Sequence, residues 1–349
     1  MMDRMQNGAL RVDLSRTSAR HHVRMSRSSA PQLTDEASRV VDRMIDRFGG
    51  AMSELSVVEL RRLLDENTRP VVSPIHSQED ALVPTAEVDV PVRVYRPHGG
   101  EGLGVVQWMH GGGFTVGSLN QNDEYLRKLS VATNAVVVSV DYRLAPEHPH
   151  PAAMDDCAAV WKWIARGPDA LDGVDVARCV LAGESAGGTM AMVLAHRAAE
   201  RELKTPVAVV NIYGPPDMIV SNPECATGAL TVEDCRFFWD MYSDPAQRTD
   251  PRVCPARAVR VDHLPPHYFA VPEVDVMRES IEKYAARLAA AGVDVRTRTY
   301  RGMMHGFATM TAELQPARVL FDDLSAYVRA SLETESPSEG TDEVSARAQ

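Results

Sequence analysis

The stretch Gly183-Glu184-Ser185-Ala186-Gly187-Gly188 limits what this chain can fold into more than any other. Before it, Arg178 to Ala182 reads as a short apolar strand. After it, Thr189 to Ala199 reads as a helix built from strong helix formers. A serine between strand and helix, with glycines two positions before and two after, is the nucleophile-elbow pattern. Side chains at the flanking positions would collide with neighbouring backbone, so glycine is expected there. Such a turn lifts Ser185 clear of the sheet and aims the N–H of Ala186, at the helix start, toward a developing oxyanion.

The rest of the chain fits around that turn. Val40, Val41, Met44, Ile45 and Phe48 recur at helical spacing and stop at Gly49-Gly50. A second helix opens with Ser56 and Glu59 as a capping box and presents Leu60, Leu63 and Leu64. Both helices precede any strand, as an added layer would. Val88 to Tyr95 alternates in the antiparallel manner. The glycines at 99, 100, 102 and 104 come before a strand, not after one, which rejects a dinucleotide fingerprint. Strands are then expected at 105–109, 135–140, 178–182, 207–213, 267–271 and 293–300. Helices are expected around 122–133, 152–166, 189–199, 281–288 and 317–332. This alternation predicts an α/β fold with a mostly parallel sheet covered on both faces. Between Pro215 and about Pro265 the rhythm breaks, and Thr231-x-x-Asp234 opens a helix on which Val232, Cys235, Phe238, Trp239 and Tyr242 share a face. A lid over the site is the functional reading of that interruption.

Three further signals converge on the serine. His110-Gly111-Gly112-Gly113-Phe114 follows a strand directly, and a run of three glycines lets backbone N–H groups approach a reacting carbonyl. His110 reads as a brace for that loop, not as a base. Asp275 and His305 follow the last two strands, at the C-terminal strand ends where ligands sit in open α/β sheets. The order serine, acid, histidine is that of the elbow-bearing hydrolases. Glu273 and Asp294 are competing acids.

Composition excludes other classes. A net charge of −11 argues against a nucleic-acid groove, which needs a basic face, and no run of about 18 apolar residues is present to span a membrane. Five scattered cysteines without a C-x-x-C suggest ordinary small residues in a reducing compartment. His148, His150, His263 and His267 stand among prolines without a carboxylate or cysteine pattern, so no metal site is expected. Residues 1–30 carry six arginines and several serines, a bias shared with organelle transit peptides. The favoured reading is a disordered tail, or an upstream start preceding one at Met25. The acidic, Ser-rich stretch 333–349 is also expected to be disordered.

Taken together, His110–Phe114, Asp141 to Pro149, Gly183–Gly188, Asp275 with Arg278, and Met304 to Phe307 resemble the hormone-sensitive-lipase (GDXG) family of α/β-hydrolase esterases. The resemblance runs from about residue 80 to 330. It implies an α/β-hydrolase fold over 81–332, with lid helices from 31–80 and a lid insertion at about 215–250. It implies Ser185 as nucleophile with Asp275 and His305 as partners, and Gly112, Gly113 and Ala186 as oxyanion donors. Phe114, Phe238, Trp239 and Tyr242 are candidates for the substrate pocket. The implied activity is hydrolysis of small or medium acyl esters through an acyl-enzyme, with no cofactor and a small-molecule ester as partner. A deacetylase of secondary metabolism is included, a cytoplasmic location is expected, and a homodimer is one assembly open to such a chain. Elimination on the same scaffold and small-molecule reception are the rival functions; receptors of this fold lack a triad residue, and all three are present here. Glu184 in place of the usual aspartate, His150 in place of an aromatic, and Glu279-Ser280 in place of an acidic pair depart from the family pattern.

Overall fold

The computed structural model describes residues 31–66, 68, 70–200, 202–227 and 229–333. The tails expected over 1–30 and after Glu333 lie outside them. Helix α1 (Asp35–Phe48) begins where Thr34 Oγ1 accepts the N–H of Ala37 at 3.2 Å and ends at Gly49, whose φ of 72° suits glycine. Helix α2 (Val57–Asp65) is capped by Ser56, which accepts the N–H of Glu59. Only half of the expected capping box forms, because the Glu59 carboxylate turns instead to Arg62 at 2.7 Å.

Strand β1 (Ser77–Val83) pairs antiparallel with β2 (Val90–Arg96). Sequence reading found only the second of these. Ser77-Gln78-Glu79-Asp80 is too polar to signal a strand, and it becomes one because the free edge of β2 offers it a ladder of backbone partners. The sheet therefore starts at Ser77, inside the 31–80 stretch assigned to lid helices. There follow β3 (Leu103–Met109), α3 (Asp123–Thr133), β4 (Ala135–Val140), α4 (Ala152–Ala165), β5 (Val174–Glu184), α5 (Ala186–Ala199) and β6 (Ala208–Ile212). After the interruption carrying α6 (Val232–Tyr242) come β7 (His267–Val274), α7 (Arg278–Ala290), β8 (Val295–Met304) and α8 (Gln315–Glu333).

The eight strands form one sheet in the order β1-β2-β4-β3-β5-β6-β7-β8. β2 is antiparallel to both its neighbours, and every pair from β4 to β8 is parallel. All residues of β3 and β4 are buried, as strands covered on both faces must be. Several tethers hold the N-terminal helices to the body; two of them start from the backbone, where the N–H of Thr34 donates to Gly302 O at 3.1 Å and that of Ser53 to Asp234 Oδ1 at 2.7 Å. Asp234 also caps α6 by accepting the N–H of Thr231, so one carboxylate joins both candidate lid pieces.

Candidate active site

Register places the reacting groups. Val274 and Met304 are partners across β7 and β8, so the next residues, Asp275 and His305, emerge side by side. Both strands run further than sequence indicated. Pro272 and Gly302 lie within them, and a register shift between Pro272 and Val274 accommodates both, with Gly302 at φ 65°. Glu184 likewise pairs with Ile212, and Ser185 and Tyr213 follow together.

Ser185 Oγ lies 2.8 Å from His305 Nε2, and His305 Nδ1 lies 2.7 Å from Asp275 Oδ2. The second bond fixes the ring: Nδ1–H donates to the carboxylate, leaving Nε2 to accept from the serine hydroxyl. Asp275 is itself held, its Oδ1 accepting the N–H of Met277 at 2.8 Å. The competing acid Glu273 faces elsewhere and accepts the N–H of Gly302 at 2.8 Å. The carbonyl of Asp294 accepts from His267 N at the opposite end of β7.

The elbow is as tight as the glycines suggest. Ser185 has φ 51° and ψ −120°, a conformation costly for a residue with a side chain. A Cβ on Gly187 would stand 2.0 Å from the carbonyl oxygen of Met109, and one on Gly183 would stand 2.4 Å from Gly187 C. The glycine loop turns through three successive positive φ values: Gly112 at 116°, Gly113 at 57° and Phe114 at 62°. The N–H groups of Gly112, Gly113 and Ala186 have no acceptor among the described residues. His110 braces the loop from below. Its Nδ1 lies 2.7 Å from Gly111 O, its ring stacks on Tyr142 at 4.2 Å, and burial pushes its pKa down to about 4.

Two cavities meet at Ser185. The wide one, about 530 Å³, passes His305 toward Gly306, Thr309 and Met310 and is walled by Val40, Met44, Phe48, Met52 and Leu64 of the N-terminal segment. The narrow one, about 40 Å³, lies against Ala186 and Pro215 and is flanked by Phe114, Phe238 and Trp239; His305 lines it as well. Tyr242, expected in the pocket, lines neither cavity. It stacks behind Phe114 at 3.7 Å and holds that ring in place, while His150 Nδ1 lies 3.2 Å from its hydroxyl.

Sequence reading missed the surroundings of Glu184. Its buried carboxylate accepts from Asn122 Nδ2 at 3.0 Å and from the Tyr213 hydroxyl at 2.7 Å. The Tyr213 ring stands 4.8 Å from that of His305. The available signal was Glu184 itself, which stands where the family pattern has aspartate.

Residues 106–309 match a family model described as alpha/beta hydrolase fold. The chain is 39% identical over 211 residues to Esterase LipI of Mycobacterium tuberculosis, across 58% of this chain and 65% of that protein, just under two thirds of it. It is 32% identical over 237 residues to an ethyl acetate hydrolase of Pseudomonas putida, across 65% of this chain and 74% of that one. A solved hyperthermophilic esterase from the archaeon Pyrobaculum calidifontis superimposes with a TM-score of 0.79 at 32% identity, covering 86% of this chain and 98% of its own. The chain belongs to the hormone-sensitive-lipase-like family of α/β-hydrolase esterases. Its activity is that of a carboxylic-ester hydrolase, and the elimination and receptor readings are not favoured.

Proposed function

We propose that this esterase works through an acyl-enzyme on Ser185, with His305 as general base and then general acid, Asp275 as its orienting partner, and the N–H groups of Gly112, Gly113 and Ala186 as oxyanion donors. The observation that carries the proposal is the pair of hydrogen bonds running from Ser185 Oγ through the His305 ring to Asp275. The serine proton passes to His305 Nε2 as Oγ attacks the ester carbonyl, and Asp275 balances the imidazolium. Three backbone donors meet the tetrahedral oxyanion, each worth roughly 3 kcal/mol in comparable sites. Collapse breaks the bond to the alcohol, which leaves with the proton from His305. Water then repeats the sequence on the acyl-enzyme and frees the acid.

We assign the acyl group to the narrow cavity and the alcohol to the wide one. His305 lines both cavities, and only the wide one continues beyond it to Gly306, Thr309 and Met310, which leaves room there for a departing alcohol. The smallness of the narrow cavity, about 40 Å³, favours a short acyl group, and the substrate class we propose is a short-chain acyl ester of a bulky alcohol, as for a deacetylase of secondary metabolism. The helices of the N-terminal segment and α6 act as the lid. A cytoplasmic location is part of the same proposal, supported by five cysteines that are buried and unpaired. Among the described residues no helix is long and apolar enough to cross a membrane.

An organophosphonate should label Ser185 one-to-one, and Ser185→Ala should lower turnover by about a millionfold with the fold intact. Substantial turnover surviving in Ser185→Ala would sink the acyl-enzyme mechanism.

A further inference from the structure

We infer that Arg61, on α2, is a positioning residue for the glycine loop, so that the oxyanion donors are aimed correctly only while the N-terminal helices are seated. The inference rests on the proposed function, which assigns those donors. The guanidinium makes four hydrogen bonds. Nε donates to Thr115 O at 3.0 Å, Nη2 to Ala145 O at 2.9 Å, and Nη1 and Nη2 fork onto the Glu147 carboxylate at 2.7 and 2.8 Å. Hydrogen bonding by Arg61 holds the Glu147 carboxyl down to about 2. A planar fork spreads its donors over three nitrogens and meets all three acceptors in one plane; the three donors of lysine radiate from a single nitrogen and cannot reproduce that spread.

Thr115 transmits the grip to the donors. Its N–H, with that of Val116, donates to Gly112 O at 3.0 Å, and its hydroxyl donates to Gly113 O at 3.1 Å. The carbonyl of Gly112 and the N–H of Gly113 belong to one rigid trans peptide and point in opposite directions. Pinning that carbonyl therefore aims that N–H. The other side of the loop is stitched to the same segment, as Ala145 N donates to Phe114 O at 2.9 Å. Three consecutive positive φ values, one of them on a phenylalanine, persist only where the surroundings over-determine them. Arg61 is part of that surrounding, and it arrives on a helix whose Leu64 lines the wide cavity and whose Leu60 packs with Phe48, Val116 and Phe238. Filling of the cavity and aiming of the donors thus meet on one short helix.

The test compares Arg61→Lys, Arg61→Gln and Glu147→Gln in the full chain, with active sites counted by phosphonate titration. Turnover of p-nitrophenyl acetate, inhibition by an aryl trifluoromethyl ketone, which becomes tetrahedral on the serine, and melting temperature are measured on each. Arg61→Lys should lower kcat about tenfold or more with KM within about twofold, and weaken the ketone by a similar factor. Glu147→Gln keeps both carbonyl contacts and should change kcat by less than about threefold. If Arg61→Gln does not accumulate, Arg61→Lys carries the same comparison. A lower melting temperature with unchanged kcat per site overturns the inference, and so does a rise in KM alone. Ser185→Ala run alongside separates the two levels. Turnover surviving there overturns both the function and the clamp, whereas its loss together with an unaffected Arg61→Lys overturns the clamp alone.

Discussion

The Tyr213 hydroxyl donates to Glu184 at 2.7 Å inside the wall of the wide cavity. Glutamate at this position is long enough to reach both Tyr213 and Asn122, and Tyr213 in turn backs the His305 ring. Glu184→Ala strands a buried hydroxyl and a buried amide, at about 1–3 kcal/mol each. A melting temperature several degrees lower and a kcat reduced about tenfold are expected, with Glu184→Gln intermediate. Unchanged kinetics in a stable Glu184→Ala would show that the ring of His305 is held without Tyr213.

Asp275→Asn tests the orienting role. An amide in place of the carboxylate favours the wrong histidine tautomer, and kcat should fall on the order of ten-thousandfold. Adding His305→Ala to Ser185→Ala should cost little more than either alone, because nucleophile and base act as one unit.

Trp239→Ala opens the narrow cavity. Activity on p-nitrophenyl esters of graded chain length should shift toward longer acyl groups, by about 1–3 kcal/mol per methylene of fit. A uniform loss at every chain length would instead mark Trp239 as packing only.

Two glycines separate steric from conformational cost. A Cβ at Gly187 meets the Met109 carbonyl at 2.0 Å, whereas one at Gly292, with φ 90°, meets nothing within 4 Å. Gly292→Ala should lose roughly 1–2 kcal/mol from strain alone. Gly187→Ala must displace backbone at the end of β3, at Met109 and His110, and should abolish activity even where folded protein is recovered.

Stability should fall on mild acidification. Burial lowers the pKa of His110, His196 and His267 from 6.5 to about 4 each. Between these values the unfolded chain binds protons that the folded chain refuses, so stability is full above pH 6.5 and declines down to about 4. The loss is on the order of 3 kcal/mol per histidine. Denaturant unfolding at stepped pH measures it, and His267→Phe should flatten the slope by about a third.

Sequence was most legible where chemistry forces residue type. The elbow glycines, the triple-glycine loop and the placement of Asp275 and His305 after the last two strands all follow from backbone clearance and strand order. It was least legible where a residue acts across distance. Arg61 reaches its acceptors over 54 and 84 positions, and nothing local marks it. Glu184 stood out as a departure, but its partners Asn122 and Tyr213 lie 62 and 29 positions away. Tyr242 was assigned to the pocket because it shares a helical face with Trp239; the stacking of Phe114 in front of it decides otherwise.

The place of β8 at the rim of the sheet bears on how this enzyme is born and how it fails. The serine sits on an interior strand, while His305 sits at the end of a strand paired on one side only. On the proposed mechanism, a nascent chain that has already shaped its elbow should stay chemically inert until its last strand zips on. In reverse, fraying of that border strand would silence hydrolysis while the interior is still folded. Heat inactivation should therefore begin below the temperature at which the core melts.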